Sequence, residues 1–445
     1  MDASMLDNNN KTTTTIYYCK KKKPSKILFF NRECTCILLL IVTLVFSDDD
    51  VEKYFADAKT FNRHVIPQCE SKKVGSASCI HVDGDGRIVH SRDLAKDSGS
   101  NKQMLMDMFL RGVIQDLKVM GKWDSYKKRW MSFLMVYSAA GPHHRETYPV
   151  MGFGKRNPSR QPGLLMPNPF FATPQWWDNL QSEHMALSES RPWETRKSVA
   201  LFRGACGPGA LPRFKLLSLN DTQRRFDVGF TKVDGYPSMV DCVRSLSAKS
   251  NNPDSPRVPK SADVDENKVQ YVLKNRVLPH VPQSNFSNFK YLIHMPGSAT
   301  GSYSRNLQYL WSHGSIILVW HHYAIEHYYH KLIPGTHFLI VDEKNIHEII
   351  DKLEANPIIQ KRLRDGARDF ARTVLSGEGL ITRWHSVFSI LTKRQAEITD
   401  ARRPPIDAAC TCDPHLLSTR AFVECGKCSI THLKDAKFRK FLGVS

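Results

Sequence analysis

The sequence predicts an α/β protein whose parallel sheets are covered by helices on both faces, and three observations predict it. The stretch Lys290–Trp320 reads as strand, small-residue loop, helix and strand. Its two strands, Tyr291–His294 and Ser315–Trp320, are apolar without alternation, the pattern of strands buried on both faces. Beyond them, apolar residues recur at helical spacing in three further runs, Ile346 to Leu353, Leu363 to Val374 and Ile381 to Leu391. Strands alternating with helices give a parallel sheet with right-handed crossovers.

Taken from the start, residues 1–26 are polar and Asn/Thr-rich and include the run Lys20–Lys23, which reads as a disordered cytoplasmic tail. Residues 27–47 hold the apolar run Cys36–Phe46, and Asp48–Asp50 follow. A basic flank, a short apolar segment and an acidic exit fit a membrane-targeting element with its lysines cytoplasmic. The uninterrupted run is shorter than the roughly 20 residues that span a bilayer, so a signal anchor and a signal peptide with a long leading region both remain. No small-x-small cleavage site follows, which favours a single-pass type II anchor and a lumenal remainder in the Golgi or endoplasmic reticulum.

Residues 48–100 read as a stem, with Asp83-Gly-Asp-Gly86 a hairpin turn too short for a calcium loop. Residues 101–266 form a first α/β half, containing a helix over Met104–Val119 and an apolar strand over Trp130–Tyr137. The Ser/Pro/Asn-rich run 246–266 lacks periodicity and reads as a flexible loop or linker. Residues 267–395 form the second half, and 396–445 a basic, Cys-containing tail.

Eight of the 11 cysteines lie beyond residue 47. In a lumen they read first as disulfides, while Cys410-x-Cys412 and Cys425-x-x-Cys428 also offer four zinc ligands at an unusual spacing. Asn220-Asp-Thr222 and Asn285-Phe-Ser287 are sequons for N-glycosylation. The formal charge of +19 suits an anionic partner. No RNA-binding signature or basic-aromatic interleaving accompanies it, so a nucleic-acid partner is not expected.

The candidate ligand-handling residues cluster in Lys290–Trp320. Pro296, Gly297, Ser298, Gly301 and Ser302 form the loop between strand and helix, where backbone N–H groups can meet an anion, and Arg305 adds a forked donor for phosphate oxygens. Gly314 closes the helix in the left-handed conformation. Upstream, Arg203 follows the strand Ser198–Phe202 and enters the glycine-rich Gly204–Gly209, a place from which it can grip a diphosphate bidentately.

Three segments resemble glycosyltransferase family 90, which includes capsule-associated proteins and protein O-glucosyltransferases of the Rumi type. They are Ala200–Ala205 with its Phe-Arg-Gly, the Lys290–Trp320 unit, and Glu326–Leu332 followed by His337–Asp342; the likeness covers roughly residues 130 to 395. Met151–Lys155 is similar to a further strand of that family. The resemblance implies a GT-B-type pair of Rossmann-like domains, the first for acceptor and the second for nucleotide sugar. It implies inverting, metal-independent transfer from a UDP-sugar (glucose or xylose), with no other cofactor, to a hydroxyl on a protein or glycan. Arg203, Gly297, Gly301, Ser302 and Arg305 would hold the diphosphate, and Glu326 the ribose hydroxyls. The carboxylates of Asp83-x-Asp85 and Asp48–Asp50 lie in the stem and beside the anchor, not in a metal-holding D-x-D context. One departure matters: the family places a general-base Asp at the end of the first apolar strand, and this chain has Ala139 and Ala140 there. His143, His144 and Glu146 are the nearby candidates for that base. A catalytically inactive, membrane-tethered sugar or nucleotide binder is the alternative.

Overall fold

A computed structural model describes residues 77–90, 100–129, 131–137, 141, 150–156, 161, 163–219, 221–251, 264–297, 304 and 306–394. The expected tail, anchor and C-terminal cysteines lie outside these residues. Among the described residues, no helix is long and apolar enough to cross a membrane.

The first sheet holds β1 (Ala77–Val82), β2 (Ile88–His90), β3 (Met131–Val136), β4 (Met151–Gly152) and β5 (Leu164–Leu165), in the order β2-β1-β3-β4-β5. β1 and β2 form the expected hairpin: Asp83 N donates to Arg87 O at 3.0 Å, and the Asp83 carboxylate accepts from Arg87 N at 2.7 Å. β1 also pairs antiparallel with β3, whereas β3, β4 and β5 run parallel. The sheet is therefore mixed. It recruits residues 77–90, expected in the stem, because β1 offers β3 an apolar strand in register from Ala77↔Val136 to Val82↔Met131.

The second sheet is parallel throughout, in the order β10-β9-β8-β6-β7. Its strands are β6 (Lys197–Cys206), β7 (Phe226–Val233), β8 (Phe289–His294), β9 (Ile316–Trp320) and β10 (Leu339–Val341). Here the expected division at 266/267 is corrected. β6 and β7 precede it in sequence, yet β6 pairs directly with β8 through Ala200↔Tyr291 and Leu201↔Leu292. The run 246–266, expected as a loop or linker, begins inside α4 (Met239–Asn251), because Leu246 and Ala248 are buried there, and ends at the first residue of α5 (Glu266–Asn275). Both helices lie in the β7–β8 crossover of the second sheet; residues 252–263 lie outside the described residues.

Alternate residues of the second sheet feed two different cores, which explains its unbroken apolar strands. Leu201, Leu292, Ile317 and Val319 face one, while Ala200, Phe202, Tyr291, Ile293, Ile316 and Leu318 face the other. The first of these cores continues into the first sheet, through α1 (Ser100–Val119) and α2 (Pro174–Glu189). Helices α7 (Ile346–Glu354) and α8 (Pro357–Thr373) fall on the expected runs, and α9 (Gly377–Arg394) follows. α9, counted with the second half in sequence, lies against the first: Trp384 meets Phe133 of β3 at 5.8 Å, and Phe388 meets Trp123 at 5.7 Å. Residues 167–177, rich in proline and aromatics, contribute to the core, with Phe171 and Trp177 at 4.6 Å edge to face.

Candidate functional site

With β6 first in chain order, the second sheet runs 2-1-3-4-5, so its strand order reverses between β6 and β8. In open parallel sheets ligands bind beyond the strands' carboxyl ends at such a reversal. Two loops leave there in opposite directions: Gly207–Ala210, leading to α3 (Leu211–Leu217), and the run from Met295, leading to α6 (Asn306–Leu310). α6 continues as a tighter turn over Trp311–His313 and stops at Gly314, whose φ of 61° is the expected left-handed exit.

Arg213, in the first turn of α3, joins the two loops. Its Nη1 donates to Ala205 O at 2.8 Å, while Nε and Nη2 both donate to Pro296 O, at 2.9 and 2.7 Å. The guanidinium lies over the Phe202 ring at 5.5 Å. Burial lowers its pKa to about 10, against the opposing pull of Asp234, and it stays charged at any ordinary pH. A fixed cation thus sits under the point where the loops part. Sequence reasoning passed over it; the one signal was its position just after the glycine-rich Gly204–Gly209.

His294 ends β8 beside this point. It is fully buried, and neither ring nitrogen has a partner among the described residues. Burial first, then His322 at 5.4 Å and Arg213, hold it well below the usual histidine pKa and therefore neutral. A disulfide between Cys206 and Cys242 ties the end of β6 to α4, in line with the expectation for a lumenal chain.

Arg203 lies within β6, opposite Gly229 of β7, because the strand runs on to Cys206 and not only to Phe202. Its guanidinium is engaged by the protein: Nη2 meets Asp227 Oδ1 at 2.5 Å, Nε donates to Pro279 O at 3.0 Å, and Nη1 donates to the carbonyls of Phe202 and Asp227. Gly297 ends the described part of the β8 loop. Gly301, Ser302 and Arg305 lie outside the described residues, as do His143, His144 and Glu146.

Glu326, in the segment after β9, is completely buried. Asn168 Nδ2 donates to its Oε2 at 2.8 Å and also to Gln308 Oε1 of α6 at 2.7 Å. Tyr328 OH donates to Glu326 Oε1 at 3.1 Å. Burial raises the Glu326 pKa to about 8, with the bonds from Asn168 and Tyr328 pulling the other way. At neutral pH the group is mainly a neutral acid.

Lys155, past β4, exchanges two backbone hydrogen bonds with Ile325 at 3.0 and 2.9 Å, so the strand end of the first sheet meets the Glu326 segment directly. Burial lowers its pKa to about 8. Gly141 lies one residue beyond Ala139 and Ala140, with φ at +85°; a Cβ there would sit 2.2 Å from Gly154 O. The two strand ends therefore approach backbone to backbone, where only glycine fits. Among the described residues no three His, Cys, Asp or Glu side chains gather into a metal-holding group.

The sequence profile described as Glycosyl transferase family 90 matches residues 136–404, more than half of the chain. Mouse protein O-glucosyltransferase 1 is 22% identical over 291 residues, which cover 65% of this chain and 63% of that protein. The chain thus matches just under two thirds of that relative's length. Among solved structures, Anabaena HepE in complex with UDP-glucose superposes with a TM-score of 0.30 at 12% identity, covering 48% of this chain and 55% of that one. A glycosyltransferase from Rickettsia africae gives 0.33 at 8% identity, covering 68% and 84%.

Proposed function

The chain belongs to glycosyl transferase family 90, and from that premise we propose that it moves a sugar, glucose or xylose, from a UDP-sugar to a hydroxyl on a protein or glycan. The observation that carries the reading is the β6/β8 reversal floored by the Arg213 guanidinium, joined in sequence to the Phe202-Arg203-Gly204 and Gly297–Arg305 segments. The diphosphate lies over the two diverging loops, with Arg305 and the Gly297–Ser302 backbone as its donors. Arg203 supports the wall of that crevice through β7 and turns to the diphosphate only by exchanging its partner Asp227.

Transfer is metal-independent and inverting. The acceptor oxygen attacks the anomeric carbon from the face opposite the diphosphate, the bond to the diphosphate oxygen breaks, and its electron pair leaves with UDP. Fixed cations stabilise that charge as it develops. The acceptor proton passes to a base, for which His143, His144 and Glu146 follow the strand end where Ala139 and Ala140 stand. The disulfide supports a lumenal compartment in the Golgi or endoplasmic reticulum, reached through a type II anchor at residues 27–47.

The test is a donor screen in which product mass reports transfer. Arg305→Ala is expected to abolish UDP binding, read by calorimetry, while leaving the unfolding midpoint unchanged; undiminished transfer by this variant overturns the assignment. Ala139 and Ala140 favour one second reading, a binder without turnover, and UDP binding with no transfer or hydrolysis from any donor would select it.

A further inference from the structure

We infer that Glu326 is a positioning residue: with Asn168 and Gln308 it forms a buried clasp that holds α6, the helix after the Gly297–Arg305 segment, against the loop that follows β5. The inference rests on the donor reading above for its effect on UDP, and on geometry alone for its effect on the fold.

The three side chains come from three separate parts of the chain, 140 and 158 residues apart, and none is exposed to solvent. Asn168 is the hub. Its amide nitrogen serves both Gln308 and Glu326, and its oxygen accepts from Phe170 N at 3.0 Å, which fixes the amide's orientation. A second tie runs parallel to it, from Tyr309 OH of α6 to Phe170 O at 3.2 Å. Both Glu326 oxygens are occupied by protein donors, so in this arrangement the carboxyl orients its neighbours instead of facing a ligand.

The clasp has a protonation state built into it. Among the described residues, the shift of Glu326 comes from burial and is opposed by the neutral donors Asn168 and Tyr328, with no cation among the causes. The groups around it are Tyr328 and Tyr329, both held protonated by burial and by Glu326, and His327, held neutral by burial and by Arg383, His330 and Lys331. Lys155 reaches the segment through its backbone pairing with Ile325, and Arg383 of α9 bonds Leu165 O. Ionising Glu326 strengthens the bonds it accepts from Asn168 and Tyr328, but the lost hydration of a fully buried charge outweighs that gain, so the closed arrangement as a whole is weakened.

The experiment measures UDP binding by calorimetry for the full chain at pH 7, 8 and 9. Titration of the uridine ring is common to all variants and cancels in the comparison. Wild type is expected to weaken by about tenfold from pH 7 to 9. Glu326→Gln, neutral and isosteric, is expected to bind within about threefold of wild type at pH 7 and to lose that weakening. Glu326→Ala is expected to bind at least tenfold worse at every pH. The inference is overturned if Glu326→Gln binds as poorly as Glu326→Ala, or if wild type and Glu326→Gln share one pH profile. Should wild type bind no UDP, the donor reading fails and unfolding midpoints decide the clasp. A raised carboxyl pKa lends stability fully below the unfolded value, and this is lost as pH climbs to about 8. Wild type should therefore lose midpoint between pH 5 and 8 relative to Glu326→Gln, and parallel curves would sink the clasp.

Discussion

The second sheet is assembled from five parallel strands, the longest of ten residues, and its inner strands β6, β8 and β9 feed a core on each face. The first sheet joins an antiparallel hairpin to β3, then adds two strands of only two residues each. One platform has a core of its own on one face and shares the core on its other face. The other borrows its cohesion, above all from α9, whose Trp384 and Phe388 stack on Phe133 and Trp123. The difference teaches that the proposed donor crevice at the β6/β8 reversal rests on a continuous five-stranded frame, whereas the face that meets it depends on the far end of the chain.

The sharpest way to break this contrast is Trp384→Ala, which removes a fully buried ring between α9 and β3. A loss of about 3–5 kcal/mol in chemical denaturation is expected. If the first sheet stands alone after all, the loss will be under 1 kcal/mol.

A smaller effect tests the second sheet. Arg213→Lys keeps the charge but cannot serve Ala205 O and Pro296 O with the same fork. About 1–3 kcal/mol is expected for the carbonyl left without its donor, together with weaker UDP binding. Unchanged affinity would move the crevice away from the strand reversal.

The mildest test concerns the seam between α2 and the turn after α6, where His184 and His313 stack at 4.3 Å. Burial lowers the His184 pKa to about 4 and holds His313 well below its usual value. Their folded pKa values are depressed, so the unfolded chain binds more protons between pH 6.5 and 4 and stability falls as pH drops through that window. For His184 this amounts to about 1 kcal/mol by pH 5.5. Unfolding midpoints of wild type and His184→Leu should diverge below pH 6.5; parallel curves would show that the seam does not sense acid.

What the sequence disclosed follows the same divide. Local signals were readable: the turn at Asp83–Gly86, the strands and helix of the Lys290–Trp320 unit, the Gly314 exit and the helices over Ile346 to Leu391. Pairings between distant segments were not. Ala200 meets Tyr291 across 91 positions, and nothing in the composition of residues 246–266 reveals that the strands on either side share a sheet. The site shows the same limit. Arg203 was visible from its glycine-rich context, but its partner Asp227 lies on the neighbouring strand. Arg213 and Asn168 carry no motif of their own, and only folding brings Pro296, Gln308 and Glu326 to them.

The return of α9 has a consequence for how such chains can be recombined. Its residues follow the second sheet in sequence, yet their ring stacking serves the first, so a single crossover point cannot exchange one half for a relative's. A chimaera joined once would pair a foreign helix with the native β3. Successful grafts will need a second junction, close to residue 377, that carries the helix along with the strands it covers.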